Sequence, residues 1–246
     1  MDPIINHAYS DQTRSHWSAL VVELVGLAGA GKTTIFNELG KRSKSVQLRE
    51  HPNPRDIKET IFFINYCFSI LPTLMQLDQK NGNGLSRREI AWMAILNGWQ
   101  HTLKHDKQKE RKVIVLDQGP IFLMTQLRVF GPGSLRDKKA EKWWQRIYTQ
   151  WREVVDIVVY LEAPDDCLYA RIQSRPDWHT MKGKPEVEVA DFLAQYRQEY
   201  NRLLTLLSVD QKGPKVMRID THKECPDVIV DRLLEIFIPK DANIFN

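Results

Sequence analysis

Apolar runs of strand length alternate with amphipathic stretches along most of the chain. Two of these runs, VIVLD at 113–117 and VVDIVVYL at 154–161, are apolar at nearly every position. Strands that are apolar on both faces are covered on both sides, as in the parallel sheets of α/β proteins. The pattern therefore predicts five strands, at 19–25, 46–50, 113–117, 154–161 and 215–220.

Helical periodicity fills the intervals between the predicted strands. In 186–207 apolar residues recur at spacings of three and four, and Lys-Gly-Pro at 212–214 ends the helix. The other predicted helices are 32–40, 56–78, 86–105, 118–129, 137–152, 164–175 and 226–237. Repeated strand–helix–strand units predict a three-layer α/β fold, with a five-stranded parallel sheet and helices on both faces. We expect one domain over 1–246 that includes an N-terminal arm at 1–18.

The segment GLAGAGKTT joins the first predicted strand to the first predicted helix. It matches the phosphate-loop (Walker A) pattern G-x-x-x-x-G-K-[ST] in full. Glycines let successive backbone N–H groups point inward around phosphate oxygens, and the helix N-terminus adds a partial positive charge. The alternative is a plain glycine-rich turn, but the strand before it and the helix after it favour a phosphate loop. The predicted nucleotide-binding residues are Gly26, Gly29, Ala30, Gly31, Lys32, Thr33 and Thr34.

A magnesium site is predicted beside this loop. Lys32 would reach the β- and γ-phosphates, and the Thr33 hydroxyl would bind Mg²⁺. Asp117 ends the apolar strand VIVLD, where a carboxylate can hold the magnesium shell. The alternative for Asp117 is that it caps the helix that follows, and the two roles are compatible.

Four segments resemble the nucleoside and nucleotide kinases of the phosphate-loop class, above all thymidylate kinases and deoxynucleoside kinases. The segments are GKTT at 31–34, REHPNP at 49–54, VIVLDQGP at 113–120 and VVYLEAPDDCLYARIQSR at 158–175. They cover most of residues 19–220 in order, and the first and last are the specific ones. The resemblance implies a nucleotide-kinase-like P-loop fold with ATP as phosphate donor, Mg²⁺ as cofactor and a small-molecule acceptor.

The resemblance also assigns roles to further residues. Glu50 matches the strand-end glutamate that accepts a proton from the acceptor hydroxyl, and Arg171 and Arg175 match two arginines that open the lid. These arginines are four residues apart in the predicted helix 164–175, so they are expected to share a face of it. A guanidinium group can bind the oxygens of a migrating phosphoryl group with two hydrogen bonds at once. The alternative is a solvated pair bridging to Asp165 or Asp166. Residues 175–186 are expected to form the lid.

Two features leave the acceptor open. Gln118 stands where these kinases usually have an arginine after the acidic residue, and Arg128 is a speculative replacement. The predicted helices 56–78 and 86–105 match the acceptor wall of the resembling kinases and are rich in aromatic residues, which suit base stacking and core packing equally.

Composition limits the partners and the cellular compartment that we expect for the protein. The net charge of +4 is too small to predict a nucleic-acid partner, and three widely spaced cysteines without CxxC spacing predict neither disulfides nor a zinc site. We see neither a signal peptide nor a run of 18 apolar residues, so a cytoplasmic protein without a membrane partner is expected. The oligomeric state, a homodimer included, stays open.

The leading hypothesis is an ATP-dependent kinase whose acceptor is a nucleoside or nucleotide. A kinase of a non-nucleotide metabolite, such as an antibiotic or a sugar, is one alternative, and a regulatory NTP-binding protein is another. A GTPase is disfavoured because the chain has no N-K-x-D guanine motif.

Overall fold

The computed structural model describes residues 19–53, 60–77, 84–109, 112–209 and 213–238. The strands are β1 (Leu20–Gly26), β2 (Val46–Glu50), β3 (Val113–Asp117), β4 (Ile157–Glu162) and β5 (Lys215–Asp220). The helices are α1 (Lys32–Arg42), α2 (Thr60–Gln76), α3 (Arg87–Lys109), α4 (Pro120–Val129), α5 (Lys138–Arg152), α6 (Asp165–Ser174), α7 (Glu186–Leu207) and α8 (Pro226–Phe237). A short 3₁₀ helix, Gly133–Arg136, lies between α4 and α5. The predicted arm at 1–18 lies outside the described residues.

All five described strands are parallel and follow the order β2-β3-β1-β4-β5. The central strand β1 is buried along most of its length, as are β3 and β4. Because every strand runs the same way, the carboxyl ends of β1, β2 and β3 meet at one edge of the sheet. The predicted fold, a three-layer α/β domain around a parallel five-stranded sheet, is confirmed.

The helices around the sheet pack in pairs that position this edge. Helix α1 contacts α8 and strands β1 to β3, whereas α4 contacts β1 and α7. Helix α2 packs mainly on α3. Among the described helices, none has the combination of length and apolar character that a membrane span requires.

One helix boundary differs from its prediction in a way that affects the site. The sequence predicts a helix over 164–175, but α6 ends at Ser174 and Arg175 is extended, with φ −64° and ψ 142°. Arg175 precedes Pro176, whose ring disfavours helical backbone angles in the residue before it. The expectation that Arg171 and Arg175 share a helix face was therefore wrong.

Candidate active site

The phosphate loop connects β1 to α1, and its backbone requires glycine. Gly29 and Gly31 have φ of 81° and 85°, values that residues with a Cβ rarely adopt. Gly26 has φ 151°, and a Cβ there would lie 2.4 Å from the carbonyl oxygen of Leu161 in the neighbouring strand. Each of these three positions therefore requires glycine for a steric or conformational reason, as the phosphate-loop prediction expects.

Lys32 is folded back over this loop. Its Nζ donates to the carbonyl oxygens of Gly26, at 2.8 Å, and Leu27, at 2.9 Å. Burial lowers the pKa of Lys32 to about 8; the negative charge of Asp117 opposes this shift, and the positive charge of Arg175 adds to it. An anionic ligand beside Lys32 would favour its charged form.

Glu23, inside the central strand β1, is a buried acidic residue that the motif analysis missed. Its side chain is 0% exposed, and its carboxylate accepts N–H bonds from Ile121 and Phe122, both at 3.0 Å. These N–H groups belong to the first turn of α4, which lacks a side-chain cap of its own. Gly119 allows this close approach, because a Cβ there would lie 2.6 Å from the Glu23 carboxyl carbon. A single charged residue within the apolar run ALVVELV was the only sign of it in the sequence.

Glu23 should make the stability of the protein depend on pH. Burial raises its pKa from an ordinary 4.5 to about 8, although the two backbone bonds oppose that change. Because the folded state holds a proton that the unfolded state releases, this stabilisation is complete below about pH 4.5 and is lost as pH rises through about 8. We expect the free energy of unfolding to fall across that interval, measured by urea denaturation, and to fall less steeply in Glu23→Gln.

Glu141→Gln is a matched control for this experiment, since Glu141 is exposed on α5. It should keep the pH slope of the wild type. Identical slopes in the wild type and Glu23→Gln would show that Glu23 does not titrate in this interval.

Asp117 ends β3 beside the phosphate loop and is 8% exposed. It accepts the N–H of Gln118 at 3.0 Å, whereas Glu23 takes the N–H groups that begin α4. The alternative role of capping α4 thus falls to Glu23 instead. Burial raises the pKa of Asp117, and the charge of Lys32 counteracts this. The carboxylate of Asp117 is left to face the cavity.

Gln118, next to Asp117, has φ 51° and is the one non-glycine residue with positive φ in the described part of the chain. Non-glycine residues adopt this conformation at a cost of about 1 kcal/mol, and such strain concentrates at functional sites. Gln118 is exposed and lines the cavity described below, at the position where an arginine was expected.

The two lid arginines have different surroundings. The guanidinium of Arg171 donates to the carbonyl oxygens of Gly29, at 3.2 Å, and Thr221, at 2.9 Å, so it ties the phosphate loop to the end of β5. Asp165, one alternative partner, instead pairs with Arg197. The Arg175 guanidinium has no hydrogen-bond or ion-pair partner in the described ranges, and it lies close enough to Lys32 to lower that residue's pKa. Arg175 is therefore available to an anion.

A cavity of about 770 Å³ joins these groups at the carboxyl edge of the sheet. Such a volume suits small-molecule ligands. One part adjoins the phosphate loop, with Lys32, Thr33, Asp117 and Arg175 in its wall. A second part lies toward β5 and α8, lined by Thr34, Arg171, Thr221, Glu224, Pro226 and Ile229.

The third part of the cavity has an aromatic wall between α4, α7 and the lid. Its lining consists of Phe122, Gln126, Trp178, His179, Phe192, Tyr196 and Tyr200. Phe192 and Tyr196 have ring centroids 4.8 Å apart, and Gln126 donates to the Tyr196 hydroxyl at 2.5 Å. Trp178 is 83% exposed, an unusual state for a large aromatic side chain. The described side chains of α2 and α3, the helices expected to wall the acceptor pocket, do not line this cavity, although the charge of Arg88 on α3 acts on the pKa of Tyr196.

Three further predicted residues lie outside the cavity wall. Glu50 is exposed at the end of β2, opposite Asp117 in the sheet register, and its negative charge raises the pKa of Asp117. Ala30, within the phosphate loop, is fully buried. Arg128 instead donates to the Tyr148 hydroxyl at 2.9 Å and does not line the cavity.

The chain has the fold of the P-loop nucleotide kinases. Thymidylate kinase from Candida albicans is similar over 92% of this chain and 93% of its own, with 14% identity and a TM-score of 0.54. Deoxyadenosine kinase from M. mycoides, solved with the products dCMP and dCDP, is similar over 88% of this chain and 98% of its own, with 17% identity and a TM-score of 0.52. The same enzyme with bound dATP gives 16% identity and a TM-score of 0.50. No protein-family model matches the chain, and no curated protein does.

Proposed function

We propose that this protein is an ATP-dependent kinase that transfers the γ-phosphate to a small acceptor, with a nucleoside or nucleotide as the leading acceptor class. The observation that carries the proposal is the shape of the cavity. It extends past the phosphate-binding residues Lys32 and Arg175 to an aromatic wall that a nucleotide switch would not need. A second molecule bound there would face the phosphate chain.

The roles of the residues follow from their positions. Lys32 and the loop amides would hold the phosphates of the donor, and Arg175 would neutralise the charge on the group being transferred. Arg171 would position the loop through Gly29 and the β5 end through Thr221. Glu50, close to Asp117 at the same edge, is our candidate to accept the proton of an acceptor hydroxyl.

The oxygen donors present fit Mg²⁺. Thr33 supplies a hydroxyl and Asp117 a carboxylate that α4 does not require, and both line the cavity next to Lys32. When bound, Mg²⁺ would offset negative charge on the phosphates.

The acceptor class comes from the aromatic wall and from the fold. Flat bases stack on rings such as Phe122 and Tyr196, and Gln126 adds an amide that can read a hydrogen-bonding edge. Thymidylate and deoxyadenosine kinases share this fold. Sugars also bind to the faces of aromatic rings, so the experiment below tests non-nucleotide acceptors as well.

The test is an acceptor screen with MgATP. ADP release is followed with nucleosides, nucleoside monophosphates, sugars and aminoglycosides as separate arms, and product formation is confirmed by mass spectrometry. We expect acceptor-dependent ADP release, strongest in one of the first two arms. Turnover only with a sugar or an aminoglycoside would show that the acceptor is a non-nucleotide metabolite. Slow ATP hydrolysis whose rate no acceptor changes would favour a regulatory NTPase.

A further inference from the structure

The segment between α6 and α7, residues 175–185, is a folded loop, which we call the lid loop. Gln173 at the end of α6 holds it from one side, because its Oε1 accepts the N–H of Gly183 at 2.7 Å and its Nε2 donates to the Met181 carbonyl oxygen at 3.2 Å. Within the loop, the N–H of Lys182 donates to the His179 carbonyl oxygen at 2.9 Å. The lid loop therefore presents its side chains from a fixed backbone.

His179 is the side chain that this loop orients most fully. Its Nδ1 accepts the N–H of Met181 at 3.1 Å, and its ring stands edge-on to Phe192, with centroids 6.0 Å apart and planes at 87°. A backbone N–H can only donate, so Nδ1 has no proton, and the neutral ring carries its hydrogen on Nε2. Nothing in the described part of the chain accepts a hydrogen bond from Nε2.

The charges around His179 keep it neutral. Burial lowers its pKa, and the positive charges of Arg175 and Lys32 lower it further. The other charged residue of the lid loop in the cavity wall is Asp177. The imidazole thus faces the same space as the two cations, and before a ligand binds it adds a hydrogen-bond donor without adding a third positive charge.

We propose that His179 is an additional catalytic residue whose Nε2–H donates a hydrogen bond to the phosphoryl group that is transferred. The inference rests on the proposed kinase function and extends it to a residue outside the phosphate-loop motif. His179 lines the same cavity as Lys32 and Arg175, the cations proposed to hold the phosphate chain, and this shared lining points to the transferred group as its site of action. A donor fixed before the reaction stabilises developing charge without reorganisation.

The experiment compares two variants that separate the two ring nitrogens. His179→Asn places an oxygen near the Nδ1 position, so it can keep the bond to Met181 while it loses the Nε2 donor. The side chain of His179→Gln places an amide N–H near the Nε2 position, but it cannot at the same time accept the Met181 N–H at the Nδ1 position. Isothermal titration calorimetry gives the dissociation constants of MgADP and of Mg²⁺ with β,γ-imido-ATP, and their ratio measures what the γ-phosphate adds.

We expect His179→Asn to reduce this ratio about ten- to a hundredfold, the usual range for a hydrogen bond to a charged group. The affinity for MgADP should stay within about threefold of the wild type, and His179→Gln should keep most of the ratio. His105→Asn, at an exposed position near the end of α3, is the matched control and should change neither constant.

Two results would overturn the inference. A wild-type ratio in His179→Asn would mean that Nε2 does not contact the γ-phosphate. An equal loss in the Asn and Gln variants, or a loss in Gln alone, would mean that His179 acts only by holding the lid loop. If the wild-type protein binds neither nucleotide, the proposed function itself fails, and this outcome is distinct from both.

Discussion

Lys32→Ala will weaken nucleotide binding at least a hundredfold and abolish acceptor-dependent turnover. Lys32 is the cation at the start of α1, held over the phosphate loop by the carbonyl oxygens of Gly26 and Leu27. Each hydrogen bond between this ammonium and a phosphate contributes about 1.5–3 kcal/mol, and two such bonds are lost. Calorimetric titration with MgATP and the ADP-release assay measure the two effects.

Lys41→Ala on the same helix is the control for this variant. Lys41 is exposed, and its ion-pair partner within the described residues is Glu38, at 2.8 Å, one turn back along α1. Its removal should leave affinity, turnover and the melting temperature nearly unchanged. Retained turnover in Lys32→Ala would refute the assignment of the donor site, provided that the variant melts at the temperature of the wild type.

The second large effect concerns Asp117→Asn, which we expect to reduce turnover about a hundredfold or more and to raise the Mg²⁺ concentration needed for half-maximal rate. The amide has the shape of the carboxylate and can still accept the N–H of Gln118, which lies 3.0 Å from Asp117. The variant therefore removes charge while keeping the local fold. Initial rates across a magnesium titration at saturating ATP measure the change.

Asp137→Asn is the corresponding control, because Asp137 precedes α5, makes no side-chain cap bond and is exposed. It should leave the magnesium dependence unaltered. If Asp117→Asn shows the wild-type magnesium profile, the carboxylate at the end of β3 does not take part in metal binding.

The sequence predicted the scaffold of the site well because the scaffold is encoded locally. Strand β3 is buried at every one of its consecutive residues, so its apolar run identifies it. The glycines of the phosphate loop have positive φ, which glycine favours more than any other residue type, so the motif identifies the loop. The five strands and the loop thus lie where periodicity and motif put them. The early end of α6 was also readable, since Pro176 follows Arg175.

The remaining parts of the site depend on contacts between distant segments. Glu23 and Ile121 are 98 positions apart, and no local sequence pattern around either residue predicts their hydrogen bond. His179 became informative only when the structure placed it in the wall of the same cavity as Lys32, which is far away in the chain. Helices α2 and α3 were expected to wall the acceptor pocket, but none of their described side chains lines the cavity, and aromatic content alone cannot distinguish a core-facing helix from one that lines a cavity.

Gly119 fits closely against the Glu23 carboxyl group, so a change at either position constrains the other. A homologue that carries alanine or a larger residue at 119 would have to shorten or redirect the side chain at 23, and the first turn of α4 would then need a different acceptor. These two positions should therefore covary when homologues are aligned, with glycine at 119 wherever glutamate occupies 23.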